Sequence, residues 1–503
     1  MCTRQFRVAS LIGWVLLLSP FWVTAQQAVG DYPAPRYPQL KKNYSAEELL
    51  AIARTVVRKP SLGLGPGNYQ GRDAANIVNI GYNIQSGEKV LLSVDSSFDP
   101  RVRDAMATAI REAGGNLDVV ITYADPVGPV RDGAAEARRL LQPRQRQSGA
   151  AGFSRSNLME IAERGNYQLL IFGGGGAIPL NIPYRWELIP WNTLDKFVTG
   201  AADYPYELQE AIDQKVWEIM LRAKRVRVTD PAGTDITWTV SRAGYQEAGA
   251  RKHFGIAIRG HVGLWPNNFL PKAQPPDAEG VIAGTVNHTG VFPHIKVYLQ
   301  NQKLVKIEGG GAYAEFWQSL LDKYKDVQWP MHPGPGMSWL REAAIGTNPK
   351  AVRPVNVMEH ALGPTWETRR SGVIHWGIGV LGVTQGEPGR EELLKFARES
   401  SLPLAHLHVH TYFNTVEMEL EDGRKILLID KGRLTALDDP EIREIATRYG
   451  DPDELLQEAW IPAIPGINVA GNYMDDYGRN PGYWIRQEHR NAYGDVMDSY
   501  RLH

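Results

Sequence analysis

Three histidines alternate with apolar residues in the second half of the chain, and their spacing suits metal chemistry. The segment reads Leu404-Ala405-His406-Leu407-His408-Val409-His410. In a β-strand, successive side chains point to opposite faces, so the three imidazoles would share one face of the strand. Buried histidines each need hydrogen-bond partners, and imidazole is a common ligand of zinc and iron. We therefore predict metal binding here; a row of solvent-facing or substrate-stacking histidines is the alternative.

A second ligand from a distant segment would distinguish a metal site from a row of surface histidines. His375 follows an apolar run and is flanked by glycines, so it suits a strand end that faces a cleft. Glu342 and the pair Glu359-His360 are further candidates, although Glu342 is equally compatible with a helix end before a Gly turn. Glu342 or Glu359 would serve as a general base or as a partner of the ligands.

The expected ion is a single Zn²⁺ or Fe(II) held by His375 and His408. His410 or His406 is the expected third ligand, because both lie next to His408 on the same face of the strand. Glu342 should lie nearby. If this set is wrong, His288, His294 and His360 are the next candidates.

The elements that must position these residues fall into two kinds. Residues 89–95 form a short apolar run typical of a buried parallel strand, and Asp99-Pro100 predicts the start of a helix over 101–113. A second strand over 117–123, a helix over 157–164 and a third strand over 168–172 follow. This order predicts an α/β N-terminal domain with a parallel sheet and crossover helices.

The second half of the chain alternates at period two instead. Residues 225–229 and 235–240 flank the turn sequence Asp230-Pro231-Ala232-Gly233 and predict a hairpin. Further strands are expected at 281–283, 295–299, 304–307 and 427–432, with one helix at 314–324. We therefore predict an α+β, strand-rich C-terminal metal domain. The expected divisions are a signal peptide 1–25, an α/β scaffold 26–225, a metal-binding domain 226–440 and a C-terminal segment 441–503 rich in Gly, Pro and aromatics.

Four glycines at 173–176 follow the third predicted strand and could cradle a phosphate. The segment lacks both a following Lys-Ser/Thr pair and the GxGxxG spacing of nucleotide-binding loops. We interpret it as a loop that needs close backbone approach.

Composition excludes several classes of protein. The formal net charge is -1, which argues against nucleic acid or an acidic membrane surface as the main partner. Cys2 is the only cysteine, so a chain cleaved after residue 25 has neither a disulfide nor a thiol ligand. A small-molecule or peptide-like substrate is expected, and the sequence is compatible with a homo-oligomer.

The N-terminal residues are typical of a secretory signal peptide. Arg4 and Arg7 precede an apolar stretch over 11–18, and Val23-Thr24-Ala25 provides small residues for cleavage. The apolar stretch is shorter than the ~20 residues that a membrane span requires. We predict cleavage near Ala25 and a periplasmic or secreted protein.

Several short motifs resemble the aminopeptidase T-like metallopeptidase superfamily, which also includes 2,5-dihydroxypyridine dioxygenase-like enzymes. They are the start of the first strand at 87–91, TDPAGTD at 229–235, EAAIGTNPKA at 342–351, SGVIHWGIG at 371–379 and His408-x-His410, which is similar to an HxD motif. The resemblance implies an α/β N-terminal domain, a C-terminal metal domain and metal-ligand roles for Glu342, His375 and His408.

The chain departs from the superfamily pattern at two carboxylates. The aspartate of the HxD motif falls on His410, or on His408 if the motif starts at His406, and a glutamate expected within 284–290 is absent. Two metal ions need carboxylates to bridge them and balance their charge. The departures therefore favour one ion and a metal-dependent hydrolase. A non-haem Fe(II) dioxygenase acting on a small aromatic is the alternative, and a non-catalytic periplasmic binding protein is a further one.

Overall fold

The structure is a computed structural model, and it describes most of the chain after the first thirty residues. The described ranges are 31–58, 82–95, 98–122, 155–173, 185–189, 191–240, 260–264, 277–288, 290–330, 332–358, 363–380, 390–402 and 406–500. The predicted signal peptide and residues 174–176 of the glycine loop lie outside them.

The first sheet is parallel and has the strand order β2-β1-β3-β4. Its strands are β1 Lys89–Asp95, β2 Asn116–Thr122, β3 Leu169–Gly173 and β4 Arg185–Ile189. The accompanying helices are α1 Ala46–Arg58, α2 Pro100–Glu112 and α3 Arg155–Gly165. The parallel sheet with crossover helices confirms the predicted α/β fold class of the N-terminal part.

Local sequence explains why α2 begins where it does. The Asp99 side chain accepts a hydrogen bond from the Arg101 N–H, and Pro100 occupies the first turn, where its missing N–H costs nothing. Val102, Met106 and Ile110 are buried on one side of α2 and pack in the same core as strand β1. Helical spacing of apolar residues thus attaches the helix to the sheet.

The second sheet is antiparallel and has eight strands in the order β10-β9-β8-β6-β5-β14-β15-β16. They are β5 Ala223–Asp230, β6 Thr234–Thr239, β8 Glu279–Val286, β9 Val291–Gln300, β10 Lys303–Gly309, β14 Thr415–Leu420, β15 Lys425–Asp430 and β16 Arg433–Leu434. β5 and β6 form the predicted hairpin, in which the Gly233 N–H donates to the Asp230 carbonyl at 2.9 Å and Gly233 has a φ of +113°.

The third sheet has four antiparallel strands in the order β13-β12-β11-β7. They are β7 His261–Gly263, β11 Leu340–Gly346, β12 Ile374–Gly379 and β13 His406–Thr411. The sequence was equally compatible with a helix end at Glu342, but the segment that contains Glu342 is strand β11. Trp238 of β6 and Trp376 of β12 meet edge to face with ring centroids 6.1 Å apart, so the second and third sheets share one core.

Further α-helices follow β4, and the first of them packs in the core of the parallel sheet. They are α4 Leu194–Val198, α5 Tyr206–Met220, α6 Gly311–Lys323, α7 Arg390–Glu399, α8 Pro440–Ala446, α9 Pro452–Leu455 and α10 Pro481–Tyr493. A 3₁₀ helix, Gly363–Arg369, leads into β12. The strand-rich second half confirms the predicted fold class there.

The N-terminal lead, residues 31–44, runs beside the C-terminal segment. Arg36 and Ile461 exchange main-chain hydrogen bonds of 3.0 and 2.8 Å. The Asn468 amide donates to the Pro33 carbonyl at 2.9 Å, and the Tyr500 hydroxyl donates to the Lys41 carbonyl at 2.8 Å. Both ends of the described chain therefore stabilise each other. Within the described ranges, no helix combines the length and apolarity needed to cross a bilayer.

Candidate metal centre

The pairing of β12 with β13 brings the predicted histidines together. His375 lies opposite His410, and Gly377 lies opposite His408. Directly opposed residues in an antiparallel pair share a face, so the imidazoles of His375, His408 and His410 extend from the same side of the sheet. Gly377 has no side chain, which leaves space on this face beside His408.

Strand β11 adds Glu342 to the same face. Glu342 is opposite Gly377, and Ala344 is opposite His375, after a register shift between Leu340 and Glu342. Small residues thus separate the polar ones across three strands. Four side chains that can bind a metal therefore share one face of the sheet, with only small residues between them.

The opposite face of this sheet is apolar. Trp376, Leu407 and Val409 point into the shared core and are at most 1% exposed. The Trp376 indole N–H donates to the Thr411 hydroxyl at 3.1 Å. This burial fixes the register, because a slip of one residue would move the histidines into the core.

His288 reaches the histidine face from the second sheet. It lies in the turn between β8 and β9, where the Asn287 side chain accepts from the Gly290 N–H at 2.9 Å. Gly284 permits a close approach of β8 to β13: a Cβ at this position would lie 2.8 Å from the His410 carbonyl oxygen and 2.6 Å from Val409 Cγ1. The missing side chain is what allows the turn to bring His288 over the sheet.

Three imidazoles offer ring nitrogens that all lie within 4.8 Å of one another: those of His288, His375 and His408. Nε2 of His288 is 3.1 Å from Nε2 of His375. The Glu342 carboxylate lies at the same place, with Oε2 3.2 Å from His375 Nε2 and 3.9 Å from His408 Nε2. Three imidazoles therefore converge from two strands and a turn, with the Glu342 carboxylate of β11 beside two of them.

The spacing of these donors fits a single ion. With metal–nitrogen bonds of about 2.0–2.1 Å, neighbouring donors of a tetrahedral site lie about 3.3–3.4 Å apart. The two shorter separations, 3.1 Å between His288 and His375 and 3.2 Å between His375 and Glu342, are close to that value. The donor set, nitrogen and oxygen with no sulfur, suits zinc or ferrous iron.

Burial disfavours the charged form of two histidines of this cluster, His288 and His261. It lowers the pKa of His288 well below its ordinary value, and the neighbouring His408 and His375 lower it further. Burial, and next the adjacent His375, lower the pKa of His261 to about 3. A neutral imidazole has a free lone pair, so at neutral pH His288 need lose no proton before it binds a cation.

His261, at the start of β7, extends the cluster on its far side. Its ring stacks on that of His375 with centroids 5.3 Å apart, and its Nε2 lies 3.3 Å from His375 Nδ1. His375 therefore has one nitrogen toward the donor group and the other toward His261. Such a contact to the second nitrogen fixes the orientation and tautomer of a ligating imidazole.

His410 is anchored by a buried charge network. Its Nδ1 lies 2.9 Å from Oε1 of Glu367, a residue of the 3₁₀ helix, and its Nε2 lies 3.2 Å from Nδ1 of His288. Glu367 also accepts from the Arg353 guanidinium at 2.6 Å and from the Tyr412 hydroxyl at 2.5 Å. Burial would raise the pKa of Glu367, but Arg353 and His410 outweigh it and lower the pKa to about 2.

The structure brings His375 and His408 together with Glu342 nearby, and the third imidazole of this group is that of His288. His410 and His406, the predicted alternatives for the third ligand, are not members of the group. His410 faces the group from behind His288, with its Nδ1 held by Glu367. His406 begins β13 opposite Gly379.

Other candidate residues lie elsewhere. Glu359 and His360 are outside the described residues. The ring of His294 contacts the Ala232 carbonyl at 2.8 Å, away from the group. His288, His261 and Glu367 belong to separate segments, and only their side-chain types could have marked them in the sequence.

No protein-family model matches the chain, and no curated protein matches it in sequence. Among solved structures, 2,5-dihydroxypyridine dioxygenase from Pseudomonas putida KT2440 shares 14% identity over 78% of this chain and 98% of its own, with a TM-score of 0.41. Wild-type AmpT from Thermus thermophilus shares 14% identity over 77% of this chain and 98% of its own, with a TM-score of 0.42. The chain is thus distantly similar in structure to one protein of each kind that its sequence resembles.

Proposed function

We propose that this protein is an exported, mononuclear metal-dependent enzyme of the aminopeptidase T-like superfamily and acts as a hydrolase on a small or peptide-like substrate. The observation that carries the proposal is the convergence of three imidazoles, those of His288, His375 and His408, with the Glu342 carboxylate. Three imidazoles can hold a divalent ion and leave a fourth position open to water or substrate, with the carboxylate beside it.

One ion is favoured over two by the carboxylates near the site. Two-metal hydrolases need carboxylates to bridge their ions. Of the two carboxylates described at this cluster, Glu367 is already paired with Arg353 at 2.6 Å and is fully buried, so Glu342 alone faces the donor group.

Glu342 is the residue we assign to proton transfer. Its side chain is 13% exposed, whereas those of His375 and His408 are 5% and 6% exposed. A bound divalent cation would supply Lewis acidity and lower the pKa of a water molecule at the site. His288, His375 and His408 would hold the ion, and the Glu342 carboxylate would act as the general base toward that water. Glu359, the other carboxylate expected from the sequence, stays a candidate for the same role.

A non-haem Fe(II) dioxygenase acting on a small aromatic is the second candidate. His375, His408 and Glu342 make up two histidines and one carboxylate, the donor set of many such oxygenases. Aromatic side chains of the C-terminal segment could stack on such a substrate, but Tyr477 there is buried and hydrogen bonded to Thr285 at 2.8 Å. Ferrous iron must also be kept reduced outside the cytoplasm, whereas zinc needs no such protection, so hydrolysis stays the first choice. The third candidate, a non-catalytic binding protein, would depend on the glycine loop.

Metal analysis of protein purified with and without oxygen tests the proposal. We expect one zinc per chain and hydrolysis of peptide-like substrates; one iron, retained only without oxygen, and oxygen consumption with a dihydroxylated aromatic would favour the second candidate. His375→Ala and His408→Ala should lose most of the metal and all activity. Loss of one of three ligands should lower metal affinity by more than the 10–100-fold that is typical when a residue that orients a ligand is replaced. His294→Ala, a histidine outside the group, is the matched control. Stoichiometric metal in both ligand variants would refute the site.

Export is proposed from the N-terminal residues. A chain cleaved after Ala25 would begin at Gln26, five residues before the first described residue, Asp31. N-terminal sequencing of protein from the periplasm or medium should begin within a few residues of Gln26. Recovery of a folded protein that keeps Met1 in the cytoplasm would refute export.

A further inference from the structure

A cavity of about 400 Å³ lies where the N-terminal lead meets the C-terminal segment. Pro33 and Arg36 of the lead, Arg370 ahead of β12, Arg433 of β16 and Glu458 are among its lining residues. None of the described metal-centre residues lines it. The cavity is therefore separate from the proposed active site.

Two of the arginines that line this cavity are already neutralised. Arg433 pairs with Asp438 and with Glu458, each at 2.6 Å. Arg443 pairs with Asp453 at 2.6 Å. These ion pairs use all three carboxylates of the lining.

The other two arginines, Arg36 and Arg370, lack such partners. Arg36 donates to the main-chain carbonyl of Glu458 at 3.2 Å, and Arg370 donates to that of Tyr412 at 3.0 Å. Among the described residues, neither guanidinium has a carboxylate within ion-pair distance. The lining therefore has an excess of positive charge.

Arg370 makes that excess costly, because it is only 2% exposed. Its Nε has no hydrogen-bond partner in the described part of the chain, and its Cζ lies 5.9 Å from the centre of the Trp460 ring. Burial lowers the pKa of Arg370 to about 10. An unpaired buried charge destabilises a fold by several kcal/mol, so such groups normally face a counter-charge.

A third cation near this cavity also relies on main-chain oxygens. The Lys350 ammonium donates to the Glu454 carbonyl at 2.6 Å and to the Gln457 carbonyl at 2.9 Å. The charge of Glu458 acts on both Lys350 and Arg370, and Arg36 donates to the main-chain carbonyl of Glu458. Three cations thus lie around Glu458, whose carboxylate already pairs with Arg433.

We propose that this cavity binds the carboxylate or phosphate group of a small anionic ligand, with Arg370 and Arg36 as its counter-charges. Guanidinium groups bind both oxyanions through two parallel N–H groups, which suits a ligand that enters between the lead and the C-terminal segment. The cavity has room for a small organic acid or phosphate ester and not only for the charged group. The inference does not depend on the metal or on the proposed reaction.

Calorimetric titration of the full mature protein with inorganic phosphate and with succinate, at low ionic strength, tests the proposal. We expect one equivalent of at least one probe to bind, and the probe that binds more tightly distinguishes phosphate from carboxylate ligands. Arg370→Met and Arg36→Met should each weaken binding by on the order of tenfold or more, because each removes a charged hydrogen-bond donor. Arg424→Met, which changes a surface arginine paired with Asp422, should bind as the unmodified protein does.

The two pocket variants also protect the test from a folding artefact. Arg36 is partly exposed, so its replacement disturbs the fold less than replacement of buried Arg370. If Arg370→Met does not fold, the loss of anion binding in Arg36→Met tests the proposal. Binding should persist in His375→Ala, which separates this site from the metal centre. Absence of binding by both probes, equal binding in both pocket variants, or equal weakening in Arg424→Met would each overturn the proposal.

Discussion

The chemistry of individual residues in the metal centre depends on which of them carry charge. Burial lowers the pKa values of His261, His288 and His410, so their imidazoles are neutral at neutral pH. Glu367 is ionised instead, because Arg353 and His410 lower its pKa despite burial. A charged carboxylate behind neutral imidazoles orients His410 and leaves the donor group free to bind a cation.

Replacing Glu367 with Gln should destabilise the fold in a pH-dependent way. The pKa of Glu367 is about 2 in the fold and 4.5 ordinarily, so the ionised group stabilises the fold above pH 4.5, and this contribution is lost as the pH falls through 2. A difference of about 2.5 pKa units corresponds to roughly 3 kcal/mol. At pH 7, the free energy of unfolding of Glu367→Gln should be lower by at least that amount, because the substitution also leaves buried Arg353 unpaired.

Urea unfolding of both proteins at pH 7 and pH 3.5 measures this difference. The difference in unfolding free energy between the two proteins should be smaller by about 1.4 kcal/mol at pH 3.5, which is one pH unit below the ordinary pKa. Glu308→Gln, which changes an exposed carboxylate paired with Lys306, should show little change at either pH. A gap that stays constant with pH would contradict the assigned ionisation of Glu367.

At the scale of elements, local sequence predicts strands and helices better than it predicts their pairing. The sequence indicated β1, α2 and the β5–β6 hairpin because caps, turns and periodicity lie within each segment. It also indicated that the histidines of β13 share a face. The pairing of β12 with β13 and β11 joins distant segments, and packing of residues such as Trp376 determines it. His288 was therefore only a reserve candidate, and His261 and Glu367 were missed.

Substitution of Gly284 tests whether the close approach of β8 to β13 is needed to assemble the metal centre. A Cβ at Gly284 would lie 2.8 Å from the His410 carbonyl oxygen, closer than carbon and oxygen normally approach. Gly284→Ala should push β8 away from β13, move His288 from His375 and His408, and cost about 1–3 kcal/mol through overpacking. Metal affinity should fall more than in Gly450→Ala, where a Cβ would meet only Leu455 at an ordinary 3.5 Å.

Zinc titration of the two glycine variants, together with their unfolding free energies, checks this expectation. Gly284→Ala should fold with weakened metal binding, whereas Gly450→Ala should retain both properties. Unchanged metal affinity in a folded Gly284→Ala would show that the position of β8 does not control the donor group.

At the scale of the whole molecule, the N-terminal lead packs against residues of the C-terminal half. The Tyr37 hydroxyl donates to Glu488 at 2.9 Å, and the Tyr37 ring packs edge to face on Tyr493 with centroids 5.9 Å apart. Tyr32 packs on Phe413, two residues after β13. The N-terminal lead therefore contacts the parallel-sheet core, the C-terminal helices and the strand that holds His408. The sequence does not predict these contacts, since they join residues more than 350 positions apart.

Removing the lead should consequently destabilise the protein as a whole. A mature chain that starts at Leu40 loses the main-chain pairing of Arg36 with Ile461 and the aromatic contacts of Tyr32 and Tyr37. It also leaves buried Glu488 without the Tyr37 hydroxyl as a donor. Loss of a packed aromatic side chain typically costs about 3–5 kcal/mol, so we expect a decrease of at least that size in the free energy of unfolding.

Thermal and urea unfolding of the mature chain and of chains that start at Leu40 and at Tyr32 provide the measurement. The chain that starts at Tyr32 is the matched control, because within the described residues it loses only Asp31, whose exposed ion pair with Lys431 contributes little. If the lead contributes as described, the Leu40 chain should melt several degrees lower and the Tyr32 chain should match the mature protein. The lead would be a passive extension if all three chains unfolded alike, because its contacts with Ile461, Glu488 and Tyr493 would then contribute no net free energy.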